Sequence, residues 1–384
     1  MLEDGTIVVF GSTGLVGSAL IRSLSKKGYS HIIGTYHRRI PTDTPANVRY
    51  IPLDLIKQQD VWNFFHEFKP QYVFLAAAKV GGILANDTYK ADFIYENITI
   101  AANVIHAAYK YGVKKLLNLG SSCIYPKEAP QPIREVYLLS GPLEPTNEPY
   151  AIAKIAAIKL CRYFNEQYGT NFFSVMPANL YGPNDNFDLF TSHVLPALLR
   201  KFHLAKALAM DDLETIKKDL NLNPIEGITG NSSYEEILNI LAKCGIARER
   251  TTPVSLRGGL SPVTVTLWGS GEPLREFLYV DDLAEACIYL MENFTAPDLR
   301  KFSPDYFVNV GTGSDLKIAD LANLIREIVG FEGKLTYDPT KPDGTPRKLL
   351  DVSPLNTLGW VSKTPLKEGI AQTYRTYLEA INSL

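Results

Sequence analysis

The sequence predicts an α/β protein built on a doubly wound parallel sheet, with a smaller mixed α/β domain attached. Three observations carry this. A strand-like run leads through a glycine turn into a helical pattern near the start of the chain. Strand and helix patterns then alternate as far as Met176, the signature of a parallel sheet. Tyr150 and Lys154 stand four apart at the head of a helix that follows the fifth strand. A chain of 384 residues has room for one large domain or two ordinary ones.

Residues 6–10, Thr-Ile-Val-Val-Phe, read as a buried strand. Gly11, Gly14 and Gly17 follow, and residues 18–27 have helical periodicity. Strand, glycine turn and helix form the dinucleotide-binding arrangement of a Rossmann-type sheet. Gly11 permits the sharp turn, Gly14 lets the backbone approach a pyrophosphate, and Gly17 lets the helix pack close to the sheet. The helix N-terminus then faces the phosphates. Residues 31–35 are the second strand. A carboxylate just beyond it would bind ribose hydroxyls and repel a 2′-phosphate, but the chain carries Arg38 and Arg39 there. Guanidinium groups match a phosphate, so NADP is expected over NAD. His37 is given no role.

Residues 48–51 are a short strand before Asp54 and Leu55. Asp54 either meets the adenine amino group or caps the helix at 57–68. Residues 71–76 are the fourth strand; Ala76, Ala77 and Ala78 after it leave space for a cofactor, and Lys79 faces substrate or solvent. A long helix covers 89–111, and the fifth strand, 113–119, runs into Leu119, Gly120, Ser121, Ser122 and Cys123. Residues 128–149 hold five prolines and read as a loop over the site. Helix 150–168 and strand 172–176 complete the alternation.

On the helix, Tyr150 and Lys154 share a face. Lys154 beside the Tyr150 hydroxyl would lower its pKa, and a tyrosine so tuned can protonate a carbonyl oxygen while a cofactor delivers hydride. Ser122 at the strand end can hold the same oxygen, and Cys123 can reach the same cavity. Taken alone, a Tyr-x-x-x-Lys pair is common on solvated helices; the glycine turn gives it context.

The run from Pro177 through Ala178, Asn179 and Leu180 to Gly182 turns out of the sheet, and the domain change is placed there. Residues 1–178 form the cofactor domain, with returning segments near 277–310. Residues 179–384 are mainly the substrate domain. Segment 192–207 is amphipathic and carries His193, Arg200 and Lys201; the two cations either bind phosphate or are solvated. Residues 210–260 read as a helical insertion. Beyond it, strand 263–268 ends at Trp268, which could stack on a base, and Arg275 could pair with phosphates. Asp281 or Asp282 caps helix 283–291. Residues 341–348 form a rigid polar loop containing Asp343.

The apolar fraction of 46% suits a globular core, and the net charge of -2 shows no basic stripe for nucleic acid. The four cysteines have no metal spacing. No apolar run reaches the ~18 residues of a membrane span. A cytoplasmic enzyme without metal is expected.

The runs Leu-Gly-Ser-Ser-Cys-Ile-Tyr-Pro at 119–126, Glu-Pro-Thr-Asn-Glu-Pro-Tyr-Ala-Ile-Ala-Lys at 144–154 and Lys-Pro-Asp-Gly-Thr-Pro-Arg-Lys-Leu-Leu-Asp-Val at 341–352 resemble the GDP-L-fucose synthase family. Residues 176–187 and 268–282 also match. That family, the GDP-4-keto-6-deoxy-D-mannose 3,5-epimerase-4-reductases, belongs to the extended short-chain dehydrogenases. The resemblance covers nearly the whole chain outside 210–260. It implies Cys123 as base and His193 as acid for epimerisation at C3 and C5. Tyr150 protonates O4, supported by Lys154 and Ser121 or Ser122, with NADPH as hydride source. It implies cofactor contacts from Ser12, Thr13, Leu15, Val16, Asp54, Leu55, Ala77, Leu119, Gly120, Pro177, Asn179, Leu180 and His193. Lys201, Trp268, Arg275 and Asp343 would bind a GDP-linked keto-deoxy sugar, and a homodimer is expected. The insertion is longer than the family requires, and the turn reads Gly-Ser-Thr-Gly where some relatives place basic residues. Alternatives are an enzyme for another keto sugar, such as a GDP-keto-heptose, and a non-catalytic NADP-binding regulator.

Overall fold

A computed structural model describes the chain except for residues 1, 3–4, 42–43, 249–261, 342 and 384. It divides into two compact units. One comprises Met1–Asn184, Glu276–Asp315 and Lys348–Thr364; the other Asp185–Arg275, Leu316–Arg347 and Pro365–Leu384. The division thus falls at Asn184, not at Ala178. The first unit regains chain at Lys348–Thr364 as well as near 277–310.

The first unit begins with β1 (Ile7–Phe10), whose four residues are all buried, then α1 (Leu15–Lys26), β2 (Ile32–Tyr36), β3 (Val48–Pro52) and α2 (Gln58–Phe68). It continues with β4 (Tyr72–Leu75), α3 (Ile83–Thr88), α4 (Lys90–Lys110) and β5 (Lys115–Leu119). Then come α5 (Glu148–Tyr168), β6 (Phe172–Pro177) and β7 (Asn179–Tyr181). Pro149 sits in the first turn of α5, where its missing N–H costs nothing, and Gly169 ends the helix in the left-handed region at φ 67°. The sheet order is Phe307–Val310, β6, β5, β4, β1, β2, β3. Every neighbouring pair is parallel.

Alternation along β1 divides the core between the two faces of the sheet. Ile7 and Val9 join Phe74, Leu117 and Phe173 under α1 and helix Val280–Asn293. Val8 and Phe10 join Val73, Leu75 and Leu116 under α2 and α4. Strand order reverses between β1 and β4, so the crevice beyond their carboxyl ends is where a doubly wound sheet takes its ligand. Neither Asp281 nor Asp282 caps a helix. That helix starts at Val280, while Asp281 pairs with Arg22 and Asp282 accepts from Lys363 N, Thr364 N and Thr364 Oγ1.

The second unit holds α6 (Val194–Ala209), α7 (Leu213–Leu222), α8 (Tyr234–Lys243), β8 (Ile246–Arg248) and β9 (Val263–Trp268). A capping box between Ser233 and Glu236 starts α8. β9 pairs in parallel with Lys334–Asp338 and antiparallel with β8. The insertion is therefore not purely helical: β8 extends a small sheet, and its residues 249–260 lie outside the described residues. Arg200 is fully buried. Its guanidinium grips both Asp219 oxygens and donates to the Phe187 and Asn223 carbonyls, and the Tyr377 hydroxyl also donates to Asp219. Arg200 is thus neither solvated nor open to a phosphate; it clamps α7 to α6.

Candidate active site

The glycine turn leaves β1 at Gly11, where φ is +80° and a Cβ would lie 2.7 Å from the Ala77 backbone. A Cβ on Gly17 would meet Gly11 O at 2.0 Å, so only glycine lets α1 sit this close. Gly14 differs. A Cβ there would meet nothing nearer than Gly11 O at 3.6 Å, so protein packing does not demand glycine and its bare face is open to a ligand. The turn therefore fits a pyrophosphate backbone. Arg39 lines a cleft with Ser12, Thr13, Ser18, Arg22 and Tyr50; Arg38 does not line it. Asp54 does not cap α2, whose N-cap is Lys57. Its Oδ1 accepts from Ile56 N at 3.1 Å, and its Oδ2 lies 4.0 Å from His37 Nε2, giving that histidine a partner. Leu55 is buried and its carbonyl accepts from Asn103. Asn179 uses its amide on Glu276 O at 2.8 Å.

At the end of β5 the chain turns through a single helical turn, Ser122–Ile124. Ser121 Oγ accepts from Cys123 N at 3.2 Å. Ser121 also hydrogen-bonds Tyr150, while Ser122 is buried at 4% exposure. Of the two serines, it is Ser121 that bonds the Tyr150 hydroxyl. Burial pushes the Tyr150 hydroxyl well up, charge on Cys123 pushes it further, and the Ser121 bond works against both. Lys154 is buried, which lowers its ammonium to about 8. Its Nζ donates to Leu119 O at 2.7 Å and lies 5.7 Å from the centre of the Tyr150 ring. The Tyr150 hydroxyl is thus raised, not lowered as expected, and the Lys154 ammonium is bonded to the strand-end carbonyl. Tyr150 therefore keeps its proton at neutral pH.

Cys123 is partly exposed, and its Sγ faces two donors: Asn147 Nδ2 at 3.5 Å and Lys348 Nζ at 3.8 Å. Lys348 is positioned by a short ladder. Ile133 N donates to Leu349 O, Asp351 N to Ile133 O, Leu349 N to Gln131 Oε1, and Leu350 N to the buried Glu276. The sequence singled out Lys348 only as part of a polar loop; its sole local signal was the rigid Pro-Asp-Gly-Thr-Pro run before it.

In the second unit, His193 occupies the N-cap of α6, and its side chain makes no cap bond. Lys201 is 8% exposed and Trp268 46%. Lys201 and Lys341 each hold an ammonium over the Trp268 ring, 5.7 and 5.6 Å from its centre. Asp343 accepts from Ser270 N and Oγ, both at 2.7 Å, and Arg275 lies at its carbonyl. Pro342 lies outside the described residues. Among the described residues no group of side chains could hold a metal ion, and no helix is long and apolar enough to cross a membrane.

A doubly wound sheet with a glycine turn, Ser121 after β5 facing Tyr150 and Lys154 on α5, and a smaller mixed unit define an extended short-chain dehydrogenase. The family model for the NAD dependent epimerase/dehydratase family matches residues 7–220 and 247–307. A putative GDP-L-fucose synthase 2 of Arabidopsis thaliana is 48% identical over 99% of this chain and 94% of that protein. Among solved structures, a GDP-6-OMe-4-keto-L-xylo-heptose reductase from C. jejuni is 38% identical with TM-score 0.86, covering 99% of both chains. A GDP-D-glycero-L-gluco-heptose synthase from Campylobacter jejuni, in the presence of NADPH, is 37% identical with TM-score 0.82, over 98% of this chain and 100% of that one. The chain belongs to the NAD dependent epimerase/dehydratase family and, within it, to the GDP-L-fucose synthase family.

Proposed function

We propose that the protein is an NADPH-dependent 4-reductase and 3,5-epimerase of a GDP-linked 4-keto sugar, with GDP-4-keto-6-deoxy-D-mannose as substrate and GDP-L-fucose as product. The observation that carries this reading is the placement of Cys123 beside the Ser121–Tyr150 pair, its sulfur faced by Lys348 and Asn147. A plain reductase has no chemical use for that thiol. NADPH, when bound, supplies the hydride to C4. Ser121 holds O4, and Tyr150 gives it a proton. Lys154, fixed at Leu119 O, places positive charge under the Tyr150 ring. The C4 ketone acidifies the C3 and C5 protons by stabilising the enolate, so Cys123 can remove them before reduction. His193 is assigned the returning proton. Arg39 is assigned the 2′-phosphate of NADPH, and the assembly is expected to be a homodimer.

A second reading, a GDP-keto-heptose substrate, is supported by the match to heptose enzymes over nearly the whole chain, though GDP-L-fucose synthases match as much of it. One assay separates the two. NADPH oxidation is followed across GDP-, UDP- and dTDP-linked keto sugars in deuterated water, and the products are identified. The first reading expects turnover of GDP-4-keto-6-deoxy-D-mannose with deuterium at C3 and C5, exchange lost in Cys123→Ser, and misprotonated products from His193→Asn. Turnover restricted to a keto-heptose selects the second. No oxidation by any keto sugar removes both and leaves a cofactor-binding regulator.

A further inference from the structure

The geometry points to the inserted helices α7 and α8 as the brace of the loop that delivers His193, with Asp219 as a positioning residue for that histidine. The loop from Asp185 to His193 is bonded tightly to itself. Asp188 Oδ1 accepts from Phe190 N, Thr191 N and Thr191 Oγ1 at 3.1, 2.8 and 2.7 Å. Asn186 Oδ1 accepts from Asp188 N, Asn186 Nδ2 donates to Thr191 Oγ1, and Ser192 N donates to Asp188 O. Side chains that accept from their own loop's N–H groups fix its shape. They do not fix where the loop sits. His193 is the next residue and α6 begins right after it, so a displacement of the loop carries the imidazole with it.

Three holds on the loop come from the insertion or run through it. Arg200 Nη1 donates to Phe187 O at 3.1 Å, and the same guanidinium grips Asp219 on α7. The Phe187 ring packs 4.6 Å from the Tyr377 ring, centre to centre, and the Tyr377 hydroxyl donates to Asp219 as well. Lys243 at the end of α8 holds its ammonium 5.6 Å from the centre of the Phe190 ring, and Glu226, also in the insertion, bonds that ammonium at 2.7 and 2.6 Å. Asp219 is thus the common partner of the first two holds. It is fully buried, as is Arg200. A buried ion pair that loses one partner leaves the other charge uncompensated. The other carboxylate whose charge Arg200 senses is Asp188, inside the loop itself. Without the Asp219 charge, the guanidinium would be drawn toward Asp188, and the loop would lose its place together with α7. The role rests on the reading of His193 as the group that returns the proton.

The test compares full-length wild type, Asp219→Asn, Phe190→Leu and His193→Asn, with NADPH binding as the folding control. Asp219→Asn keeps the size and an acceptor but removes the charge. Phe190→Leu keeps an apolar side chain and removes the ring beneath Lys243. Turnover of GDP-4-keto-6-deoxy-D-mannose in deuterated water is one readout. Asp219→Asn and Phe190→Leu should each release misprotonated product severalfold more often than wild type, while hydride transfer to a ketone needing no epimerisation is unchanged. The second readout is the imidazole signal of His193 in protein labelled with carbon-13 histidine, assigned by its loss in His193→Asn. That signal should shift or split in both variants. An unmoved His193 signal overturns the brace, and so do equal losses of exchange and hydride transfer. If Asp219→Asn no longer binds NADPH, Phe190→Leu decides by the same two readouts. If wild type turns over no keto sugar, the proposed function fails on its own. The imidazole signal then decides the brace separately: displacement in the variants supports it, and an unmoved signal overturns it.

Discussion

At the scale of single residues, the site turns on two lysines with opposite tasks. Lys154 is buried against Leu119 O, and burial holds its folded pKa near 8, below the ordinary lysine value. The fold therefore disfavours its charge, and deprotonation sets in as pH rises through about 8. Tyr150, raised by burial, still keeps its proton there. The rate of reduction should fall on the alkaline side near Lys154's value, and Lys154→Arg, which stays charged, should move that limb upward; pH profiles of kcat/KM measure both. Lys348 acts on sulfur. Lys348→Met removes the ammonium 3.8 Å from Cys123, so exchange at C3 and C5 should slow by about ten- to a hundredfold while hydride transfer to a ketone needing no epimerisation changes little. Equal losses in both would refute a role directed at Cys123. The Ser, Tyr, Lys and Cys set was legible because helical spacing and a strand end are local. Lys348 was not, because its meeting with Cys123 spans 225 positions and depends on the hydrogen-bond ladder from Ile133, Gln131 and Glu276, which no local pattern encodes. The choice of Ser121 over Ser122 was hidden for a related reason: which hydroxyl points at Tyr150 is decided by one helical turn.

At the scale of elements, the long strands and helices followed their hydrophobic periods, and the short pieces did not. α3, β7 and β8 each have too few residues to show a period, and β8 exists only because β9 offers it an edge. Asp281 and Asp282 do not cap as expected, and of the two readings for Asp54 capping fails, because a carboxylate before a helix looks the same whether it bonds its own turn or another partner. The proline-rich loop carries a buried carboxylate. Glu135 within it is 4% exposed and accepts from Asn309 N, and burial raises its pKa to about 7. Its folded value lies above the unfolded one. The stability it contributes is therefore full below about pH 4.5 and is lost as pH rises through about 7. Glu135→Gln keeps the acceptor and removes the buried charge. It should raise the melting temperature at pH 8, by up to about 3 kcal/mol of stability, and lose that advantage by pH 5. A destabilised glutamine variant at pH 8 would show the charge to be well solvated.

At the scale of the whole molecule, the doubly wound architecture was plain from the glycine turn and the alternation, whereas the division of the chain was only half visible. The exit at Asn184 and the return at Lys348–Thr364 depend on a bridge between Ile133 and Leu350 and on Asp282 holding Lys363 and Thr364, none of which has a sequence period. Cofactor choice belongs to this scale too, since it reads β1, β2, β3 and α1 together. Arg39→Ala should weaken NADPH by about 1–3 kcal/mol and leave NADH unchanged, while Arg38→Ala should do neither; fluorescence titration of both cofactors checks this.

The strand Phe307–Val310, seated on β6, has a consequence for the birth of the protein. On the ribosome, β6 emerges long before the strand that will cover it. For that interval it offers an unpaired, mostly apolar strand edge to any other nascent chain. A fragment ending at residue 184 should accordingly clump or be retained by chaperones, and adding residues 276–364 in trans should rescue its yield.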